Sequence, residues 1–147
     1  MKKSLNHLHW IGRFGNRMFQ VAYGKTLEKS FGVEYRTVSK WEGDVLFKNC
    51  KSKIIQDKKL LEECSKVALG PNSNSFEEWS RVISEYNKRT GSNTKFIFPC
   101  DIGSWREPET DLAMDCCCWD SEYIFSQYNK RDLRKLFEFS DEVKDSD

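Results

Sequence analysis

The chain is 147 residues long, about one domain. Ten Phe, five Trp and five Tyr exclude a disordered chain, which cannot bury such mass. With 24 basic against 23 acidic residues the formal net charge is +1, so bulk charge gives no reason to expect a nucleic-acid partner.

No apolar run approaches the ~18 residues of a membrane span. The opening MKKSLNHLHW lacks the apolar core of a signal peptide. Cys50, Cys64, Cys100, Cys116, Cys117 and Cys118 fit neither a disulfide framework nor paired zinc knuckles, and His7 and His9 are the only histidines. The expectation is reduced thiols, no bound metal and a cytoplasmic chain.

In chain order, residues 5–11 read as a strand entering the turn Gly12-Arg13-Phe14-Gly15. Asn16 to Phe31 reads as a helix with Asn16 as N-cap, an apolar face of Met18, Phe19, Ala22, Leu27 and Phe31, and Gly32 as its stop. Residues 33–38 are strand-like, so strand, helix and strand make a parallel βαβ unit. Residues 41–47 read as a loop with two aromatic anchors, and residues 54–69 as a helix or a strand followed by a helix. PNSNS at 71–75 is a loop. Ser75-Phe76-Glu77-Glu78 has capping-box order and opens a helix over 76–89 with Trp79, Val82, Ile83 and Tyr86 on one face. Residues 95–99 read as a short buried strand, 112–119 as a strand containing the cysteine triplet, and 121–139 as a helix broken near Asn129. The expected organisation is a single domain over 1–140 followed by an acidic, frayed tail over 141–147.

The turn is where chemistry is expected. Loops at the carboxyl end of a parallel strand are the usual ligand sites of α/β sheets, and a helix start offers N–H groups and a positive dipole end to a phosphate. Arg13 and Arg17 add charge-assisted donors. The pattern is neither GxGxxG nor a P-loop, so a purely structural turn competes evenly with a binding site. Other candidates have blander readings. His7 and His9 read as edge or partly buried polar residues, Trp79 and Tyr86 as core, the lysines at 51, 53, 58 and 59 as a solvated face, and the cysteine triplet as a buried strand. Glu42, Asp44, Asp101 and Asp120 are available carboxylates, and none is assigned as a catalytic base.

Residues 12–47, GRFGNRMFQVAYGKTLEKSFGVEYRTVSKWEGDVLF, resemble the amino-terminal signature of family 11 glycosyltransferases, the alpha-1,2-fucosyltransferase group. Gly12, Gly15, Asn16, Met18, Phe19, Gln20 and Ala22 fit that signature, and Trp41, Gly43 and Phe47 match a W-x-G-x-x-[IL]-F segment of some relatives. A weaker similarity runs from Cys118 through Tyr123 to Phe139. Arg17 departs from the family's usual Gln. The family's H-x-R-x-G-D segment does not occur, since no histidine follows His9.

The resemblance implies an α/β, Rossmann-like three-layer domain with a short parallel sheet, similar to the amino-terminal half of a GT-B-type enzyme. It implies metal-independent, inverting transfer of fucose from GDP-fucose to a sugar hydroxyl. The substrate-binding residues would be Gly12, Arg13, Phe14, Gly15, Asn16, Arg17 and Gln20. The partners would be a sugar nucleotide and a glycan acceptor, with no cofactor beyond the donor substrate. On this reading the chain is the acceptor-side half, inactive without a carboxy-terminal donor-binding half. The alternative is a non-catalytic carbohydrate-binding or interaction module.

Overall fold

In the computed structural model the described residues are 2–51, 53–73, 75–97, 109–115 and 130–144. They form β1 (Ser4–His7), α1 (Phe14–Phe31), β2 (Glu34–Thr37), α2 (Gly43–Leu46), β3 (Lys53–Ile54), α3 (Lys58–Ala68), α4 (Phe76–Thr90), β4 (Lys95–Phe96), β5 (Leu112–Met114), α5 (Lys130–Leu136) and α6 (Asp141–Lys144). The five strands make one sheet in the order β3-β2-β1-β5-β4, and every pairing is parallel. The chain is therefore an α/β protein of the kind the βαβ reading anticipates, compatible with a Rossmann-like fold.

All four residues of β1 are buried, as a central strand covered on both faces requires. Leu5 sits opposite Tyr35 and Leu112, and His7 opposite Thr37 and Met114. From β1 the chain steps outward to β2 and β3, then returns across the sheet to the far edge at β4. Reversing direction while keeping one crossover hand places α3 and α4 on the opposite face from α1. Two cores result. One holds Leu5, Val21, Leu27, Tyr35, Trp41, Phe47, Met114 and Leu136, under α1 and α5. The other holds Leu8, Ile55, Leu60, Val67, Trp79, Val82, Ile83 and Ala113, under α3 and α4.

Several boundaries differ from expectation. β1 ends at His7 rather than 11, because the residues beyond it bend into the turn. Residues 41–47 contain the short helix α2, with Trp41 and Phe47 buried as anchors. Between 54 and 69 the strand-then-helix reading holds, with Asp57 capping α3 through the N–H groups of Lys59 and Leu60. Helix α4 is capped as its sequence anticipates: Ser75 accepts from the Glu78 N–H, and Gly91 ends it in the left-handed conformation. Within the segment expected to fray, α6 makes one helical turn whose Lys144 N–H bonds the Ser140 carbonyl. The cysteine triplet, Cys100, residues 121–129 of the expected 121–139 helix and the Tyr123 match lie outside the described residues; α5 falls in the second half of that helix, with Leu136 in the core and Leu133 and Phe137 packed against it.

Candidate functional site at the Gly12 turn

The strand order changes direction at β1, which has β2 on one side and β5 on the other. The carboxyl ends at such a switch point frame the ligand crevice of open parallel sheets. Residues 8–13 cross this edge and enter α1. Gly12 turns the chain with a φ of +73°, a value that L side chains rarely adopt. A Cβ there would also lie 2.2 Å from Asn16 Nδ2, because the Asn16 side chain folds back over the glycine.

The N-cap of α1 is Arg13, not Asn16. Helical geometry begins at Phe14, and the Arg17 N–H already bonds the Arg13 carbonyl at 3.0 Å. The sequence reading places the start two residues late, because Asn is a favoured cap and Arg is not. Arg13 makes no side-chain cap bond, and the first turn carries no acidic residue. The amino end of an 18-residue helix thus keeps its positive character at the sheet edge. At Gly15 an added Cβ would meet nothing within 4 Å, so packing among the described residues does not demand glycine there.

The seven expected binding residues divide into three groups. Gly12, Arg13, Gly15 and Asn16 are exposed at the turn. Arg17 is tied down: its Nη1 bonds Glu42 Oε1 at 2.6 Å, and its guanidinium lies 6.0 Å from the centre of the Trp10 ring. Phe14 and Gln20 turn inward. Phe14 stacks on Trp41 and Phe47 at centroid distances of 6.0 Å. Gln20 is buried, and its Nε2 donates to the Ile11 carbonyl at 2.5 Å while its Oε1 accepts from the Ile11 N–H at 3.2 Å. It clamps the residue before Gly12 by both backbone groups. Its place is under the turn, not at its surface.

The W-x-G match has a steric basis. The Trp41 ring lies across Gly43 so closely that a Cβ there would be 2.0 Å from it. Trp41 in turn stacks on Trp10, whose Nε1 donates to Ser39 at 3.2 Å. These contacts fasten residues 39–47 beside the turn.

His7 and His9 have different surroundings. His7 is fully buried, with Nδ1 2.7 Å from the Tyr35 hydroxyl and its ring edge-on to Trp10. Burial drives its pKa down to about 3, leaving a neutral imidazole. His9 stacks on Trp79 against the other core, and burial lowers its pKa as well. Trp79 itself is core, with Nε1 donating to the Ser73 carbonyl at 2.8 Å. The His7–Tyr35 pair escapes the sequence reading. A signal exists in Gly24, an interior helix glycine, where a Cβ would lie 2.3 Å from the Tyr35 ring.

Of the available carboxylates, Glu42 pairs with Arg17 and Asp44 Oδ2 accepts from the Trp41 N–H at 3.2 Å; Asp101 and Asp120 lie outside the described residues. Burial raises the thiol pKa values of Cys50 and Cys64 to about 12, so both are inert thiols. Among the described residues there is no cluster of His, Cys, Asp and Glu suited to a metal, and no helix long and apolar enough to cross a membrane. Two surface hollows, of about 480 Å³ along α3 and about 400 Å³ between α1 and α5, lie away from the turn. No protein-family model, curated protein or solved structure matches the chain.

Proposed function

We propose that the chain is a fucosyltransferase-like domain corresponding to the acceptor-side half of a GT-B-type glycosyltransferase, in which the Gly12–Arg17 turn receives the diphosphate of GDP-fucose. The observation that carries this reading is the amino end of α1. It sits at the sheet's switch point with no side-chain cap and no acidic neighbour in its first turn, and it is flanked by two glycines and two arginines.

Inverting transfer breaks the bond between the fucose anomeric carbon and the diphosphate as the acceptor hydroxyl attacks from the opposite face. Negative charge then grows on the leaving phosphate oxygens. Backbone N–H groups at the helix start present fixed donors to that charge without reorganising, and the exposed Arg13 adds a cation beside them. Asn16, laid across Gly12, offers its amide to the same surface. Trp10 and Glu42 flank the turn through their contacts with Arg17. The family's H-x-R-x-G-D segment is not among these residues, so turnover is expected only when a donor-binding half is supplied.

The test is release of GDP from GDP-fucose, dependent on both the chain and a sugar acceptor, with the donor half added in trans. Acceptor-dependent release supports the enzyme reading. Sugar or GDP binding without release under any complementation would favour the carbohydrate-binding module.

A further inference from the structure

His7 is a polar side chain with no exposed surface, and its Nε2 has no hydrogen-bond partner among the described residues. A buried polar atom left unsatisfied costs stability, and such costs concentrate where function requires them. The surroundings of this ring point to what it serves. Its Nδ1 is fixed by the Tyr35 hydroxyl at 2.7 Å, and Tyr35 is held by the close approach of Gly24. The Gln20 side chain and the His9 backbone lie near enough to favour its protonated form, although neither meets hydrogen-bonding geometry at Nε2. Gln20 is the residue that grips both backbone groups of Ile11, immediately before Gly12.

We propose that His7 is a positioning residue for the turn: its Nε2 edge braces the Gln20 amide, and through Ile11 fixes Gly12 and the start of α1 in the conformation that receives a diphosphate. This rests on the reading of the turn as a diphosphate site. The imidazole is neutral, so only one of its nitrogens carries hydrogen. If Tyr35 donates to Nδ1, Nε2–H is left to donate to Gln20 Oε1. With the other tautomer, Nε2 accepts from the second Gln20 N–H. Either bond can close by a small shift when the turn is loaded, as polar contacts that are long in free enzymes often do on binding.

Two near-isosteric variants separate positioning from structure. His7→Asn keeps a polar atom near the Nδ1 position, facing Tyr35, and gives up Nε2. His7→Gln places one near Nε2 and gives up Tyr35. Titration of the full chain with GDP, beside thermal melting, is expected to show His7→Gln within about threefold of the parent and His7→Asn weakened at least tenfold. A residue that merely holds Tyr35 gives the reverse order. That order, or equal affinities, would overturn the proposal. Should either variant fail to fold, ¹⁵N-histidine spectra of the parent decide. The His7 Nε2 resonance must move on saturation with GDP, and a stationary resonance refutes the role. A parent with no affinity for GDP brings down both the diphosphate site and the positioning role, whereas a parent that binds and an Asn variant that binds equally removes only the latter.

Discussion

Helices α1 and α4 pack on opposite faces of one sheet and obey different rules. α4 is locally complete: Ser75 caps it, Glu77 and Glu78 occupy its positive end, Lys88 and Arg89 its negative end, and Gly91 closes it. It is stitched to α3 by Arg89 on Glu63 and by the Tyr86 hydroxyl, which donates to Asp57 Oδ2 at 2.5 Å. Burial pushes the Glu63 and Asp57 carboxyls up, and these hydrogen bonds outweigh it and hold both below the usual carboxylate range. α1 has no side-chain cap, no acidic residue in its first turn, a glycine at its centre and a buried polar network beneath its amino end. On this face of the sheet local preference and packing agree. The other departs from local preference, and its departures converge on the Gly12 turn.

Glycine substitutions in α1 carry the largest expected effect. Gly24→Ala gains about 1 kcal/mol of helix propensity but drives a Cβ to within 2.3–2.7 Å of three atoms of the Tyr35 ring. The ring is buried and fixed, so overpacking wins, and a net loss of about 1–3 kcal/mol is expected. Thermal melting would register this as a fall of roughly 2–10 °C. Gly15→Ala, in open space, should instead gain about 0.5–1 kcal/mol while its new methyl hinders a diphosphate. Melting and GDP titration on both variants test the pair.

Acid reads the buried histidines next. His7 titrates near its ordinary 6.5 when unfolded and at about 3 when folded, so the unfolded state binds the extra proton between these values. Its contribution is present above pH 6.5 and is lost as pH falls toward 3; from pH 7 to pH 5 this amounts to about 2 kcal/mol. His9, also lowered by burial, adds with the same sign. Denaturant melts across this range should show the loss, and His7→Gln should flatten it. At the conventional end of the molecule, Ser75→Ala is expected to cost about 1 kcal/mol and leave GDP affinity untouched.

The smallest effect concerns Glu42. Its ion pair with Arg17 is partly exposed and worth ~0.2–1 kcal/mol. Glu42→Gln frees that cation for an anionic ligand and should tighten GDP about two- to fivefold, an effect that Arg17→Gln abolishes. Calorimetric titration of the two single variants and the double variant measures the coupling.

The contrast between the helices also explains what the sequence reveals. α4 is legible because Ser75, the apolar spacing of Trp79, Val82 and Ile83, and Gly91 all state the same element locally. The βαβ start is legible for the same reason, and the Gly12–Asn16 turn stands out by its glycines. The beginning of α1 is misread because Asn16 has the chemistry of a cap, whereas the helix starts earlier and Asn16 lies back over Gly12, four residues before it. Gln20 looks like a ligand residue until its amide is seen committed to Ile11. His7 and Tyr35 are 28 positions apart, and no local pattern joins them; only parallel pairing of β1 with β2 brings them together.

The central claim, that the amino end of α1 binds a diphosphate, is tested most directly by titrating the ¹⁵N-labelled chain with GDP and mapping the backbone shifts. Saturable movement is expected at Gly12, Phe14, Gly15 and Asn16, with α4 residues such as Glu77 and Glu78 silent. Shifts confined to α3 and α4, or none at millimolar GDP, would contradict it.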